Sequence, residues 1–178
     1  MSSSTVFAWG SGSFGRLGTG GGTANVDLPS PLELTDAISV DCGESHSVCV
    51  GASGLYTFGR NTSGRLGLGD EKTRSMPSAV RALHGQGTVR MASAGFAATV
   101  AATDSDVYTW GSGSLGRLGH GSEQDCPVPR RIDALAGLRA VSVSAGCDHC
   151  MVAIQDGRVL SWGRNSHGQL GLGDNSQT

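Results

Sequence analysis

The sequence predicts an all-β chain, a partial β-propeller of about three and a half repeats, and two periodic phrases carry that prediction. The first phrase is a short apolar run closed by an aromatic and a glycine. It reads Val6-Phe7-Ala8-Trp9-Gly10, Leu55-Tyr56-Thr57-Phe58-Gly59, Val107-Tyr108-Thr109-Trp110-Gly111 and Val159-Leu160-Ser161-Trp162-Gly163, with steps of 49, 52 and 52 residues between the aromatics. The second phrase begins five residues after that glycine: Gly15-Arg16-Leu17-Gly18, Gly64-Arg65-Leu66-Gly67, Gly116-Arg117-Leu118-Gly119 and Gly168-Gln169-Leu170-Gly171, each followed by a further glycine two residues on. These four slots hold 16 of the 29 glycines, so glycine here marks fixed turns that need positive φ or close backbone approach, and not flexible linker.

Each unit is expected to run in the same order. A β-rich segment ends in the aromatic, a glycine-punctuated loop follows, and strands come next near Pro31, Pro77 and Pro129 and around Ile38 to Asp41. A third phrase then closes the first three units: Gly43-Glu44-Ser45-His46-Ser47-Val48, Gly95-Phe96-Ala97-Ala98-Thr99-Val100 and Gly146-Cys147-Asp148-His149-Cys150-Met151, with a further strand expected after it. No segment carries a helical period. The chain is therefore one partial propeller over 1–178, divided into repeats 6–54, 55–106 and 107–158 and an incomplete 159–178.

A hydrophobic share of 38% and a charged share of 16% are those of an ordinary folded domain. A net charge of −2 argues against binding nucleic acid through bulk positive charge. The opening Met-Ser-Ser-Ser-Thr has neither the basic nor the apolar region of a secretory signal, and no window approaches the roughly 18 apolar residues that span a bilayer. The cytosol or nucleus is the expected compartment, with no membrane partner. The five cysteines, Cys42, Cys49, Cys126, Cys147 and Cys150, are expected as reduced thiols.

The phrases Trp-Gly-x-x-x-x-Gly-x-Leu-Gly-x-Gly and Gly-x-x-His, repeated at this spacing from Val6 to Asp174, resemble the repeat of the regulator of chromosome condensation family. The resemblance implies a seven-bladed propeller, which at about 50 residues per blade needs roughly twice this chain. A fragment of a full ring is the expectation. Closure by two copies is resisted by the tally, since two chains supply eight opening phrases and six closing ones. Family members include exchange factors for the Ran GTPase that bind chromatin, targeting domains of ubiquitin ligases and kinases, and a plant ultraviolet-B photoreceptor. The photoreceptor implies Gly-Trp-Arg-His in the third phrase, where this chain has Glu44, Phe96 and Cys147 after the glycine. Exchange activity implies an inserted wedge, and no long insertion breaks these repeats. Chromatin is not expected as a partner of this segment alone, which lacks a basic N-terminal tail.

The family's second phrase commonly carries glutamine, as at Gln169, whereas Arg16, Arg65 and Arg117 hold that slot in the other units. Equivalent slots lie around one rim of a propeller, so the arginines form an arc of positive charge for an acidic partner, or else each makes a local hydrogen bond in its own loop. With the loop residues Arg60 and Arg164, the candidate partner-binding rim is Arg16, Arg60, Arg65, Arg117, Arg164 and Gln169. His46 and His149 match the family's structural histidine, and Ala98 replaces it in the second unit.

Several motifs reduce to repeat chemistry. Gly10-Ser11-Gly12-Ser13-Phe14-Gly15 and its counterpart from Gly111 match G-x-G-x-x-G, but no apolar helix follows to receive a pyrophosphate. Cys147 and Cys150 form a lone C-x-x-C whose positions align with Glu44 and Ser47, without a second pair to complete a metal site. Asn61-Thr62-Ser63 reads as a loop asparagine and not a glycosylation acceptor. No catalytic residue, metal or cofactor is expected. The function expected is a protein-interaction scaffold, with nucleotide exchange on a Ran-type small GTPase as the alternative and homo-oligomerisation open if the chain is not a fragment.

Overall fold

A computed structural model describes residues 5–176. Their thirteen strands form four antiparallel sheets. The first sheet has two strands, β1 (Phe7–Gly10) and β2 (Val26–Pro31). The second has four, in the order β3 (Ala37–Cys42), β4 (His46–Gly51), β5 (Gly54–Gly59) and β6 (Arg74–Ala79). The third repeats that order with β7 (Val89–Ala94), β8 (Ala98–Thr103), β9 (Val107–Gly111) and β10 (Cys126–Arg131). The last has three, β11 (Ala140–Ala145), β12 (His149–Ile154) and β13 (Val159–Gly163). This is the all-β, propeller-type stacking of sheets that the periodic phrases predict. Helical backbone among the described residues is confined to 3-10 turns of three residues.

The sequence repeat and the sheet are out of phase. The strand that ends in the aromatic and glycine is third in its sheet, so each sequence unit contributes the last two strands of one sheet and the first two of the next. The fourth-position strands β6 and β10 and their counterpart β2 carry Pro77, Pro127, Pro129, Pro29 and Pro31, as an outer edge permits and a central strand would not. The strand expected after the third phrase begins within it, at His46, Ala98 or His149.

First strands meet from sheet to sheet. β7 packs on β3 and β4 on one side and on β11 on the other. In the second and third sheets the second strands are covered on both faces, which is why β4 and β8 are buried along their whole length in place of a simple in-out alternation. Two apolar cores fill the gaps between sheets. One joins Val48, Val50 and Leu55 to Ala101, Tyr108 and Trp110, and the other joins Val100 and Val107 to Ile132, Val152 and Ile154.

Candidate interaction surface

The loops that follow the third strands form one rim, and a recurrent joint ties each loop to the next sheet. At Gly67 the backbone has φ +73°, and a Cβ there would lie 2.7 Å from the indole nitrogen of Trp110. The glycine is therefore a seat for the aromatic of the following blade. Trp110 donates its Nε1–H to the Arg65 carbonyl at 3.0 Å, and Trp162 repeats this with Arg117 at 2.9 Å. Phe58 fills the same seat over Gly18 without a donor.

The second-phrase arginines close the joint from the other side. Arg16 donates from Nε to Ser13 O in its own loop and from Nη1 to Glu44 O in the next, at 2.9 and 2.8 Å. Arg65 bonds Thr62 O locally and Phe96 O and Ser45 Oγ beyond. Arg117 bonds Ser114 O and Cys147 O and pairs with Asp148 at 3.0 Å. Arg65 and Arg117 are only 4% and 7% exposed, so the arc of positive charge expected at the surface is, for these two members, folded into the joints. Each arginine makes the local bond in its own loop and a second that crosses to the next sheet. Arg65 keeps its charge although burial pulls its pKa down, because a guanidinium titrates far above neutrality.

Beneath Arg65 lies a polar chain. The Thr99 hydroxyl donates to Arg65 O at 2.7 Å, so His46 Nε2 must donate to Thr99 Oγ1, at 2.9 Å. That leaves His46 Nδ1 as a buried acceptor without a partner. Burial, with Arg65 nearby, pushes the His46 pKa down to about 3 and keeps the ring neutral. This is a structural histidine.

The side chains that remain open on the rim are Arg16, Arg60, Arg164 and Gln169. Arg164 pairs with Asp148 at 3.3 Å and donates to Ser166, while Gln169 accepts the His167 N–H. Arg60 lies over the ring of Phe14, 4.9 Å from its centroid, and Arg16 sits 5.8 Å away. Phe14 is 41% exposed and has φ +60°, a conformation that Ser63 and Leu115 share at the same place in their loops. Sequence reasoning missed Phe14. Its signal is a phenyl ring just before the first glycine of the second phrase, where the other loops carry Ser63, Leu115 and His167.

The Asn61 side chain is wholly buried; its Oδ1 accepts the Leu66 N–H and its Nδ2 donates to Asp70 O, which makes it a loop staple. Cys150 is buried and its thiol is pushed up to about 12 by desolvation, and Cys147 is raised as well. Among the described residues no three His, Cys, Asp or Glu side chains converge as a metal site, and no helix is long and apolar enough to cross a membrane.

Repeated glycine seats, interlocked aromatics and cross-sheet arginines define a propeller of tandem blades built to a single pattern. The chain belongs to the regulator of chromosome condensation (RCC1) repeat family, whose repeat matches residues 3–50, 53–102, 104–153 and 156–178. It is 38% identical over 174 residues to the human E3 ubiquitin-protein ligase HERC2, covering 94% of this chain and 4% of that protein. It is 36% identical over 174 residues to the ultraviolet-B receptor UVR8 of Arabidopsis thaliana, covering 95% of this chain and 39% of the receptor. The chain thus spans well under half the length of these relatives. Among solved structures, human WBSCR16 superposes with a TM-score of 0.84 at 25% identity, over 98% of this chain and 49% of that one. Yeast RCC1 (Prp20), solved bound to Kap60, gives 0.81 at 24% identity over 97% of this chain and 42% of that one, a likeness of fold.

Proposed function

We propose that this chain is a protein-binding scaffold whose loop rim engages a protein partner through Phe14, Arg60 and Arg16. The observation that carries the reading is Phe14 itself. A bulky side chain in the left-handed region costs of order 1 kcal/mol or more, and while Ser63 and Leu115 share this turn conformation, Phe14 alone among them carries an aromatic ring, 41% exposed. Here the strain displays an aromatic ring beside two guanidiniums, the residue types that dominate interface energetics. Cations flanking a ring suit an acidic protein surface, and binding of this kind needs no catalytic residue, metal or cofactor. The cytosol or nucleus remains the proposed compartment.

A photo-reactive phenylalanine analogue at position 14 tests this directly. Cross-links to a partner should form from position 14 and be lost in the Arg60→Gln background. Cross-links that form equally from an analogue at position 128, on the outer strand β10, would remove the rim reading.

Nucleotide exchange on a Ran-type GTPase is the second proposal, supported by membership of the family and by the fold shared with yeast RCC1 (Prp20). Acceleration of nucleotide release from purified Ran by the full-length protein would establish it, and no acceleration would remove it.

A further inference from the structure

The link from β6 to β7 and the link from β10 to β11 follow one path and then diverge. In each, a leucine ends a 3-10 turn, Leu83 donating its N–H to Val80 O at 3.2 Å and Leu135 to Ile132 O at 3.0 Å. A left-handed glycine follows two residues on, Gly85 at φ +80° and Gly137 at φ +75°. The next residue donates back to the leucine carbonyl, Gln86 to Leu83 O at 3.1 Å and Leu138 to Leu135 O at 3.0 Å, so Gln86 stands in the place of Leu138. Leu138 is half-buried against the core of Val107, Ile132 and Leu135. Gln86 is exposed, and its Oε1 accepts the Tyr108 hydroxyl at 3.4 Å.

A pocket of about 290 Å³ lies between the first of these links and the β4–β5 turn, and Leu55, Val80, Leu83 and Val89, all buried, form its apolar floor. We propose that this pocket receives an aliphatic side chain, leucine in shape, from a basic segment of a protein partner. The partner supplies in trans what Leu138 supplies in cis at the next link. An apolar floor with a few polar groups around it is the usual make-up of a binding pocket.

Size and sequence agree with that occupant. An aliphatic cavity of roughly 150 Å³ already admits a benzene-sized group, so a branched side chain fits with room to enter. The first link also has five residues between Leu83 and Val89, against four between Leu135 and Ala140 in the second. Thr88 O and Arg139 O accept equivalent N–H groups, from Asp104 and Gln155, which leaves Gly87, at φ +94°, as the added residue. A glycine brings no side chain to fill the space.

The mouth of the pocket selects what flanks that side chain. Gly51 and Gly87 border it, and a Cβ on either would press on a carboxylate, that of Asp36 at Gly51 and that of Asp104 at Gly87. Asp36 accepts the Ser53 hydroxyl and N–H, and Asp104 accepts the Thr88 N–H. Among the described residues neither carboxylate is paired with a cation. Lysine or arginine beside the partner's leucine supplies the missing charge. The N–H groups of Gly85 and Gly87, also at the border, have no acceptor among the described residues and are open to a partner's carbonyls. The pocket lies at the start of β5, and Arg60 of the Phe14 rim follows its other end, so the two surfaces are separate.

The test uses the 178-residue chain with labelled leucine and valine methyl groups, titrated with the peptide acetyl-Gly-Arg-Leu-Lys-Gly-amide. The NMR signals of Leu55, Val80, Leu83 and Val89 should shift, and that of Leu138 should not. Alanine in place of the peptide's leucine should weaken binding by roughly tenfold or more, and glutamates in place of its two cations should weaken it too. Filling the pocket in cis, by Gln86→Leu with removal of Gly87, should abolish the shifts and raise the urea midpoint. Gln86→Leu alone keeps the length of the link and should weaken binding in the same sense, so the test stands even if the shortened link does not fold. No shift at millimolar peptide, equal binding of the alanine peptide, or unchanged binding by the Gln86→Leu chain would overturn the proposal. Leucinamide binding as tightly as the peptide would overturn it in favour of a small-molecule site. None of these results bears on partner capture at Phe14.

Discussion

Trp110 and Arg65 come from successive blades and share a single hydrogen bond, the indole Nε1–H to the arginine carbonyl at 3.0 Å, while the guanidinium of the same arginine reaches on to Phe96 O at 2.8 Å. The backbone and the side chain of one residue thus clamp two sheets from opposite directions. This arrangement separates arginines that hold the fold together from arginines free to bind.

Arg65→Gln should therefore cost stability, and Arg60→Gln should not. Glutamine is too short to reach Phe96 O and Ser45 Oγ, which lose a charged donor in a buried joint, a loss of about 2 kcal/mol. Arg60, half-buried at the rim and bonded to the Thr62 hydroxyl, should change stability by less than about 0.5 kcal/mol while weakening partner capture. Urea denaturation of the two variants checks the contrast, and equal losses would dissolve the distinction between joint and surface.

The Trp110 seat predicts a graded series. Trp110→Phe keeps most of the buried ring and removes the indole donor, and Arg65 O still accepts from Thr99, so the loss should be about 1 kcal/mol. Phe58 at the equivalent seat shows that a ring without a donor fits. Trp110→Ala empties a wholly buried site in the core and should cost about 4 kcal/mol. Thermal or urea denaturation that ranks the phenylalanine variant as low as the alanine would mean that the hydrogen bond, and not the packing, holds the blades together.

How far the sequence reveals these roles depends on what repeats. Glycine slots and aromatics recur at fixed spacing, so the all-β propeller class and the strands around Pro77 and Pro129 follow directly from it. The phase of the sheets does not, because the repeat is cyclic: a unit read from Val6 or from Ala37 has the same pattern, and only hydrogen-bond registry shows that β3 opens a sheet. The arginines were legible as a set but not by role. Their cross-sheet acceptors are backbone carbonyls of Glu44, Phe96 and Cys147, and a carbonyl leaves no trace in residue identity. Phe14 was hidden for the opposite reason, since it departs from the pattern.

Strain at the loop tips makes a separate prediction. Ser63 has φ +59°, where a Cβ is penalised and glycine is not, so Ser63→Gly should raise stability by about 0.5 kcal/mol or more. Phe14→Gly relieves the same strain but deletes the exposed ring. It should keep or raise the melting temperature and lose partner capture, which calorimetry and cross-linking read independently. A Phe14→Gly variant that still captures the partner would show that the ring is not what the partner contacts.

His46 sets the response to acid. In the unfolded chain its imidazole titrates near 6.5, whereas burial beside Arg65 lowers the folded value to about 3. Between these two values the unfolded state binds a proton that the folded state refuses, so stability rises with pH across this window and falls as the solution is acidified. The slope from this residue approaches roughly 1 kcal/mol per pH unit below about pH 6. His120 is also lowered, chiefly by burial, and adds in the same sense, so the contribution of His46 must be read by difference. His46→Gln removes the titrating group and keeps an amide donor for Thr99 Oγ1. Its stability should decline less steeply than that of the parent between pH 6 and 4.5, above the range in which Asp36 and Asp70, both held below the usual carboxylate value by hydrogen bonds, take up protons. Urea midpoints at pH 7, 6, 5 and 4.5 measure the difference: converging curves support an uncharged, buried His46, whereas parallel curves would show that it accepts a proton in the folded state as readily as in the unfolded chain.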